Sequence, residues 1–360
     1  MENYYRRLQE DETNYKTFAN RFKYMARSAE RKYYSNIFSA IKNDTKELWK
    51  RINHVRGSSK TDNSFITELQ TNTGIVYDHF DMANALNEHF VNVTEKLKNS
   101  SSNSNKDDYC QESTTSLVFE DITHTELIEV MNKVHNSKST NDELPLRIFK
   151  QCSKNVFSYL CELLNESVKS GIYPSCLKKS IIIPIFKKGD KKSPSNYRPI
   201  CLLSYITKVF EKLIHRRIFD FLNRKMLLYE NQFGFRKNHS TSLALLKMSD
   251  KIYKAKAKNE YSVGLNLDIS KAFDAVNTEL LLKKLNKIGI RGFLHEWLQS
   301  YLKNRPHIVF INNVKSKELT AKSGVPQGSA LGPLLFLVYI NDIKNISHHG
   351  ELSLFADDIA

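Results

Sequence analysis

A short segment of alternating side chains constrains the fold of this chain more than any other feature. In VGLNLDIS, residues 263–270, apolar side chains alternate with Gly264, Asn266 and Asp268. Alternation with a period of two is typical of a β-strand that buries one face and exposes the other. The segment is therefore predicted to be a strand that delivers the Asp268 carboxylate to a polar cleft.

A second apolar segment, LSLFADDIA at residues 352–360, carries the adjacent carboxylates of Asp357 and Asp358. Adjacent strand residues point to opposite faces, so the two cannot be equivalent unless a turn intervenes. A tight hairpin is predicted to place one of them close to Asp268 and the other at the edge of the cleft. An isolated Asp-Asp pair is usually a solvated turn, so this prediction depends on the agreement of other segments.

Carboxylates that converge repel one another, by on the order of 4 kcal/mol for two unit charges about 4 Å apart at an effective dielectric of about 20. A divalent cation turns this repulsion into a ligand set, and Mg²⁺ prefers hard oxygen ligands and leaves room for substrate phosphates. Asp268, Asp357 and Asp358 are therefore candidate metal ligands. Two such ions can activate a 3′-hydroxyl and stabilise a leaving pyrophosphate. The alternative interpretation is that all three carboxylates are simply exposed to solvent.

A loop rich in glycine and proline lies between the two acidic segments. It belongs to SGVPQGSALGPLLFLVYINDI, residues 323–343, in which a long apolar helix is predicted to follow the loop. Glycine lets a backbone approach a ligand closely, and the N-terminus of the helix favours an anion. A plain loop before a buried helix explains the pattern equally well when the segment is considered by itself.

The excess of basic residues narrows the class of partner. The formal net charge is +15 and the pI is about 9.4. These values favour a protein that binds a polyanion such as nucleic acid over a soluble protein that is merely basic.

The five cysteines show no C-x-x-C spacing, which argues against a disulfide framework or a zinc site. The charged N-terminal segment and the lack of a run of roughly 20 apolar residues predict an intracellular protein, nuclear or cytoplasmic, without a membrane partner. The oligomeric state stays open.

Four segments are predicted along the chain. Residues 1–60 form a basic helical connector, in which Asp44 caps a helix, and residues 61–100 form a strand–turn–strand followed by a helix. A polar, low-complexity composition predicts a flexible linker at 101–116. Residues 117–360 form the main domain, with its core motifs from about residue 168. Strands such as SIIIPIF mix with helices without regular alternation, which indicates an α+β fold.

Six ordered motifs carry a resemblance to a known family. LDISKAFDAV, SGVPQGSALGPLLF and FADD resemble the palm motifs of reverse transcriptases. Upstream, IIIPIFKKGD, NYRPICLLSYITKVFEKLI and ENQFGFRKNHSTSLAL resemble the fingers motifs of non-LTR (LINE-type) retrotransposon enzymes, including jockey-like elements. The resemblance covers residues 117–360. It implies right-hand fingers and palm, with an antiparallel palm sheet packed on helices. It stops after the third palm motif, which implies a truncated chain with the thumb absent.

The resemblance also implies roles for the acidic residues. Asp268 matches the first metal-binding aspartate of the family, and the backbone carbonyl of Ile269 would assist it. Asp357 and Asp358 match the aspartate pair of the third palm motif. In that pair, Asp357 would be the stronger metal ligand and Asp358 the less certain one. The implied cofactor is a pair of Mg²⁺ ions, with Mn²⁺ as a substitute.

Five further residues match the nucleotide site of the family. Phe273 matches the steric gate, whose ring lies under the sugar and excludes a 2′-hydroxyl. Lys187 and Arg198 match residues that hold the triphosphate, since Arg binds phosphate bidentately and Lys acts as a point charge. Gln327 and Gly328 match the loop that borders the nucleotide and the template. A solvated basic turn is the alternative interpretation of Lys187.

Other positions have less defined roles. Asp274 is expected to be structural, at the start of the next helix. The chain departs from the family pattern at Asn141, where glycine is usual, and at Cys201, where serine is usual. The resemblance does not decide whether three further residues contact the template or pack within the domain. They are Gln232, Gly234 and Arg236.

The implied function is RNA-directed DNA polymerisation. It consists of two-metal nucleotidyl transfer from a dNTP to the 3′-end of a DNA primer on an RNA template. The alternatives are a catalytically inactive, truncated nucleic-acid-binding remnant and an RNA-directed RNA polymerase, which the Phe273 ring disfavours. Without a thumb the chain is expected to extend primers poorly. The sequence leaves open the natural template, the insertion site, the host and any upstream endonuclease.

Overall fold

The structure is a computed structural model of the 360-residue chain. It describes residues 2–41, 44–55, 65–71, 74–100, 112–134, 150–151, 154–321, 323–345 and 350–360. Most of the linker predicted at 101–116, and the segment that contains Asn141, lie outside the described residues. The chain divides into two compact units, Met1–Asn63 and Ser64–Ala360.

Helices account for most of the regular structure. Those in the described residues are α1 (Glu2–Ala40), α2 (Thr45–Val55), α3 (His79–Ser100), α4 (His124–Lys133), α5 (Lys154–Lys169), α6 (Ser175–Lys178), α7 (Tyr205–Arg224), α8 (Thr241–Ala257), α9 (Thr278–Lys287), α10 (Phe293–Leu302) and α11 (Gly332–Ile340). Two 3₁₀ turns occupy Pro194–Asn196 and Asn341–Asn345. None of the helices in the described part of the chain is long and apolar enough to cross a bilayer.

Several helices begin where a short polar side chain accepts a backbone hydrogen bond. The Asp44 carboxylate accepts from Glu47 N at 3.0 Å, which confirms the cap predicted for α2. Ser204 and Ser240 do the same for α7 and α8. Such caps satisfy N–H groups that have no partner within the helix, so these starts are encoded locally.

The strands of the described residues form three sheets. They are β1 (Leu69–Thr71), β2 (Gly74–Val76), β3 (Ser180–Phe186), β4 (Tyr197–Leu202), β5 (Leu267–Asp268), β6 (Arg305–Ile311), β7 (Val314–Lys315), β8 (Leu319–Ala321), β9 (Leu354–Phe355) and β10 (Asp358–Ile359). β1 and β2 form a hairpin. β5, β10 and β9 form an antiparallel sheet in that order, and β4, β3, β6 and β7 form a larger one, in which β3 and β6 are parallel and β8 pairs with β6. The chain therefore mixes helices and sheets, as predicted.

The main core is centred on aromatic side chains contributed by α7, α10 and the segment after α5. The Tyr173 ring stacks on Phe210 at 6.0 Å between centroids and meets the edge of Trp297 at 5.1 Å. All three side chains are almost completely buried. Large aromatic rings contribute much of the apolar area that a core removes from water, so this cluster holds α7 and α10 together.

A smaller core lies under the five-stranded sheet. Leu69, Met82 and Leu86 are fully buried against Ile182 of β3 and Val309 of β6. Asn87 crosses this layer and donates from Nδ2 to the Ser316 hydroxyl at 3.0 Å. The segment from Phe65 to α3 therefore belongs to the same packed unit as β3 and β6.

Two predicted elements are shorter than the sequence pattern suggested. The strand expected over 263–269 is limited to β5, because β10 pairs with only two of its residues. Val263 is 95% exposed and Leu265 is 70% exposed, so the prediction of a buried apolar face is wrong for the described chain. The apolar helix after the glycine-rich loop ends at Ile340, where a 3₁₀ turn follows.

A buried histidine makes the stability of this unit dependent on pH. His307 of β6 is 5% exposed, and burial lowers its pKa from 6.5 to about 4. The unfolded chain binds the proton more tightly, so the stabilisation is complete above about pH 6.5 and is lost as the pH falls toward 4. Between about pH 7.5 and pH 5, protonation of His307 is expected to lower the unfolding free energy of the wild-type chain by about 2 kcal/mol. The His307→Gln variant is expected to lack this loss.

The measurement is urea unfolding at the two pH values. His239→Gln is the matched control, since His239 is only half-buried, whereas His307 is 5% exposed. An equal loss of stability with pH in the His307→Gln variant and the wild-type chain would contradict the prediction.

Candidate active site

A two-residue hairpin brings the acidic segments together. The chain turns at Ala356 and Asp357 between β9 and β10, and Ala356 takes a positive φ of 58°. In the register of β5 and β10, Asp358 lies directly opposite Asp268 and Ile359 lies opposite Leu267. The tight hairpin predicted from the sequence is therefore present, and Asp358 is the member of the pair that faces Asp268.

The hairpin is held by a buried glutamine from the segment before α8. Gln232 is 3% exposed, and its Oε1 accepts from Gly234 N at 2.8 Å and from Ala356 N at 2.9 Å. Phe233 N donates to Leu354 O at 2.7 Å. A Cβ on Gly234 would lie 2.2 Å from Ala356 N, so only glycine fits there. Gln232 and Gly234 thus pack against the hairpin, and sequence reasoning did not separate this role from template contact.

Arg236, the third residue left open, also serves the local structure. Its guanidinium donates to Tyr229 O at 2.8 Å, and burial lowers its pKa. This contact secures the turn that precedes α8.

A cleft of about 650 Å³ contains almost all of the candidate site residues. The sequence-predicted residues that line it are Lys187, Arg198, Asp268, Ile269, Phe273, Gln327, Asp357 and Asp358. Gly328 does not line the cleft. Its φ is +104°, and a Cβ there would lie 2.7 Å from Cys201 O. Gly328 instead allows the loop to approach β4, where Cys201 N donates to Gln327 O at 2.7 Å.

The cationic wall of the cleft is formed by the end of β3 and the start of β4. Arg198 lies opposite Ile185 in the antiparallel register, and Lys187 N donates to Asn196 O at 2.9 Å. Both cationic side chains are exposed. The cleft therefore presents positive charge on one wall and carboxylates on the other, an arrangement suited to a phosphate-bearing ligand held with cations.

Phe273 is held in place by two other aromatic residues. Its ring stacks on Phe336 of α11 at 5.1 Å between centroids with an interplanar angle of 15°, and it meets Phe235 edge to face at 6.1 Å. Val325 N donates to Phe273 O at 2.9 Å. The ring therefore has a defined position at the cleft wall.

The three aspartates of the cleft suit a hard divalent cation, because they offer carboxylate oxygens and the backbone places them on adjoining strands and a turn. Asp268, Asp357 and Asp358 supply carboxylate oxygens, and the Ile269 residue also borders the cleft. Within the described ranges, no three His, Cys, Asp or Glu side chains lie close enough together to hold an ion. Carboxylates without a counter-charge repel, so a closed ligand cage is not expected before cations bind.

The carboxylate of Asp274, which was expected to be structural, supports the glycine-rich loop. Both oxygens of Asp274 lie 2.9 Å from Gln327 Nε2. Burial raises the pKa of Asp274 to about 6. Asp274 was expected at the start of the next helix, but Asn277 caps α9 instead, accepting from Glu279 N and Leu280 N. The contact joins positions 53 apart in sequence, so no local signal reveals it.

A carboxylate that the sequence analysis did not single out occupies the N-terminus of α11. Glu211 of α7 is completely buried, and it accepts from Tyr301 Oη at 2.7 Å and from Ala330 N at 2.7 Å. Burial raises its pKa. The group at this helix N-terminus, where an anion was predicted, is therefore an internal carboxyl side chain. The only sequence signal is an acidic residue within the apolar stripe of a basic helix.

Comparison with known proteins identifies a family that this chain resembles. The profile described as reverse transcriptase (RNA-dependent DNA polymerase) matches residues 186–360. The chain is 33% identical over 254 residues to a probable RNA-directed DNA polymerase from transposon BS of Drosophila melanogaster, covering 68% of this chain and 28% of that protein. The corresponding protein of the X-element from the same species is 35% identical over 243 residues, covering 65% and 26%.

A third relative is the RNA-directed DNA polymerase from the mobile element jockey of Drosophila melanogaster. It is 30% identical over 256 residues, which cover 68% of this chain and 28% of the relative. The chain thus spans between 26% and 28% of the length of these three relatives.

Proposed function

The chain belongs to the reverse transcriptases of LINE-type retrotransposons over residues 186–360, and from that premise we propose that it carries the nucleotidyl-transfer site of an RNA-directed DNA polymerase. The observation that carries the proposal is the pairing of Asp268 with Asp358 across β5 and β10, with Asp357 in the adjoining turn. No other pair of strands in the described chain brings two aspartates into register.

The carboxylates are the proposed metal ligands. Asp268, the carbonyl of Ile269, Asp357 and Asp358 would hold two Mg²⁺ ions, for which Mn²⁺ can substitute. When bound, such ions lower the pKa of a primer 3′-hydroxyl and stabilise the charge on a leaving pyrophosphate. The residues of the chain supply the fixed negative charge and orient it toward the cleft.

The cationic wall is the proposed triphosphate site. Arg198 offers a planar fork of donors that matches phosphate oxygens, and Lys187 offers a mobile point charge. We assign the β3–β4 hairpin to the fingers and the β5–β10–β9 sheet to the palm of a right-handed polymerase. The nucleotide would enter between these two elements, with its phosphates near Arg198 and its sugar near Phe273.

The proposed partners are an RNA template, a DNA primer and dNTPs. The net charge of +15 favours binding of the nucleic-acid backbone. A noncatalytic function, nucleic-acid binding without turnover, is the second candidate. The observation that favours it is the net charge of +15, which supports binding of a nucleic-acid backbone whether or not the site turns over.

The two candidates are separated by primer extension. A DNA primer annealed to an RNA template is incubated with the chain, Mg²⁺ and dNTPs, and the same reaction is run with Asp357→Asn. Weak extension by the wild-type chain and its loss in the variant are expected. Salt-dependent binding of the duplex with no extension, even with Mn²⁺, would favour the noncatalytic function instead.

Sugar selectivity provides a test of Phe273. Phe273→Val is expected to raise the use of rNTPs relative to dNTPs by about 100-fold, because the smaller side chain leaves room for a 2′-hydroxyl. Single-nucleotide incorporation kinetics measure the ratio. Phe293→Val is the matched control, since Phe293 is 40% exposed and does not line the cleft. Unchanged discrimination in Phe273→Val would contradict the steric-gate assignment.

A further inference from the structure

We propose that Asp274 is a positioning residue of the cleft, which holds the side-chain amide of Gln327 so that its carbonyl oxygen is available to the incoming nucleotide. The inference rests on the proposed function, since it assigns a specific polar contact within the same site. Both residues line the cleft beside Phe273.

The orientation of the amide follows from the chemistry of its partner. Both Asp274 oxygens lie 2.9 Å from Gln327 Nε2, so the amide nitrogen donates to the carboxylate. An ionised carboxylate only accepts hydrogen bonds, so Gln327 must present its nitrogen to Asp274 and direct Oε1 away from it. Asp274 therefore removes the two-fold ambiguity that a glutamine amide otherwise has.

The backbone reinforces this contact from both sides. Gly324 N donates to Val276 O and Val325 N donates to Phe273 O, each at 2.9 Å. At Gly324, which has a φ of +88°, an added Cβ would lie 3.1 Å from the Asp274 Cα. The loop that carries Gln327 is thus docked directly on the turn that carries Asp274 and Phe273.

The opposite side of the loop is bound to β4. Cys201 N donates to Gln327 O at 2.7 Å, so the backbone of Gln327 is fixed independently of its side chain. Loss of Asp274 would therefore release the Gln327 amide without releasing the loop. In the described residues no protein donor is recorded for Gln327 Oε1, which leaves this oxygen as an acceptor for a hydroxyl or amino group of the nucleotide.

The kinetic test is a double-mutant cycle. Asp274→Leu is expected to raise the KM for dNTP about tenfold while kcat stays within about threefold, because the freed amide can rotate and bind the nucleotide in the wrong orientation. Asp274→Asn keeps an oxygen acceptor and is expected to recover most of the affinity. In a Gln327→Met background, Asp274→Leu is expected to have no further effect on KM, because Asp274 acts through Gln327.

A purely structural role for Asp274 predicts additive effects in this cycle, and additivity would overturn the proposal. Thermal unfolding of every variant identifies any that fail to fold. If Asp274→Leu fails to fold, the cycle is run with Asp274→Asn and Gln327→Met instead.

A second readout does not need turnover. In the chain labelled with ¹⁵N-glutamine, the side-chain amide of Gln327, assigned by its disappearance in Gln327→Met, is expected to exchange slowly with solvent. Slow exchange is expected to persist in Asp274→Asn and to be lost in Asp274→Leu. Equal exchange in the wild-type chain and Asp274→Leu would overturn the proposal even if primer extension succeeds. Failure of extension with normal protection would count against the proposed function alone.

Discussion

Asp268→Asn is expected to reduce primer extension by about 10³-fold or more. Asparagine keeps the size of the side chain, so the β5–β10 pairing that sets Asp268 opposite Asp358 should persist. The substitution removes one of the three negative charges that the proposed metal site requires. Electrostatic stabilisation of the transferring phosphate by bound cations supplies several kcal/mol of the barrier reduction, which accounts for the size of the effect.

The measurement combines initial rates of extension with Mn²⁺ binding followed by electron paramagnetic resonance. Asp250→Asn is the matched control, because Asp250 lies on the exposed face of α8, paired with Lys254, and does not line the cleft. The wild-type chain and the control are expected to bind Mn²⁺ alike, and Asp268→Asn more weakly. Retention of both binding and extension in Asp268→Asn would contradict the metal-site assignment.

Glu211→Ala is expected to lower the free energy of unfolding by roughly 3 kcal/mol. The substitution leaves the Tyr301 hydroxyl and Ala330 N without their acceptor in a buried region. The segment from Gln327 to α11 should loosen as a result, although Glu211 is not part of the cleft.

Urea unfolding measures the loss, and Glu211→Gln is the matched control. Glutamine retains one oxygen acceptor and most of the side-chain volume, so it should cost less than half as much as alanine. Equal destabilisation by the two substitutions would show that packing, and not hydrogen bonding, accounts for the role of Glu211. No measurable loss in Glu211→Ala would contradict the assignment outright.

The elements that the sequence predicted well are those with local causes. SIIIPIF forms β3 over the predicted residues, because a run of β-branched side chains favours an extended backbone. Asp44 begins α2 because its carboxylate reaches an N–H only three residues away. The hairpin at Asp357 was predicted because adjacent carboxylates can share one edge only through a turn.

The predictions failed where distant parts of the chain decide the outcome. The alternating pattern at 263–269 favours a strand of seven residues, but strand length depends on the partner, and β10 pairs with only two residues of it. The sequence did not distinguish a template contact from a packing role for Gln232. In the structure, Ala356 N donates to its side chain. The contact between Asp274 and Gln327 and the contact between Glu211 and Ala330 span 53 and 119 positions, respectively.

By itself, the sequence determined which residues carry charge and which short segments are strands, helices or turns, because these properties depend on side-chain chemistry and on neighbours within a few residues. It also determined the family, through six motifs in a fixed order. Only the tertiary structure decided that Asp358 is the aspartate opposite Asp268, that Gln232 supports the hairpin and that Glu211 satisfies the start of α11. Each of these depends on buried polar atoms finding partners from distant segments, and the packing of the whole unit selects those partners.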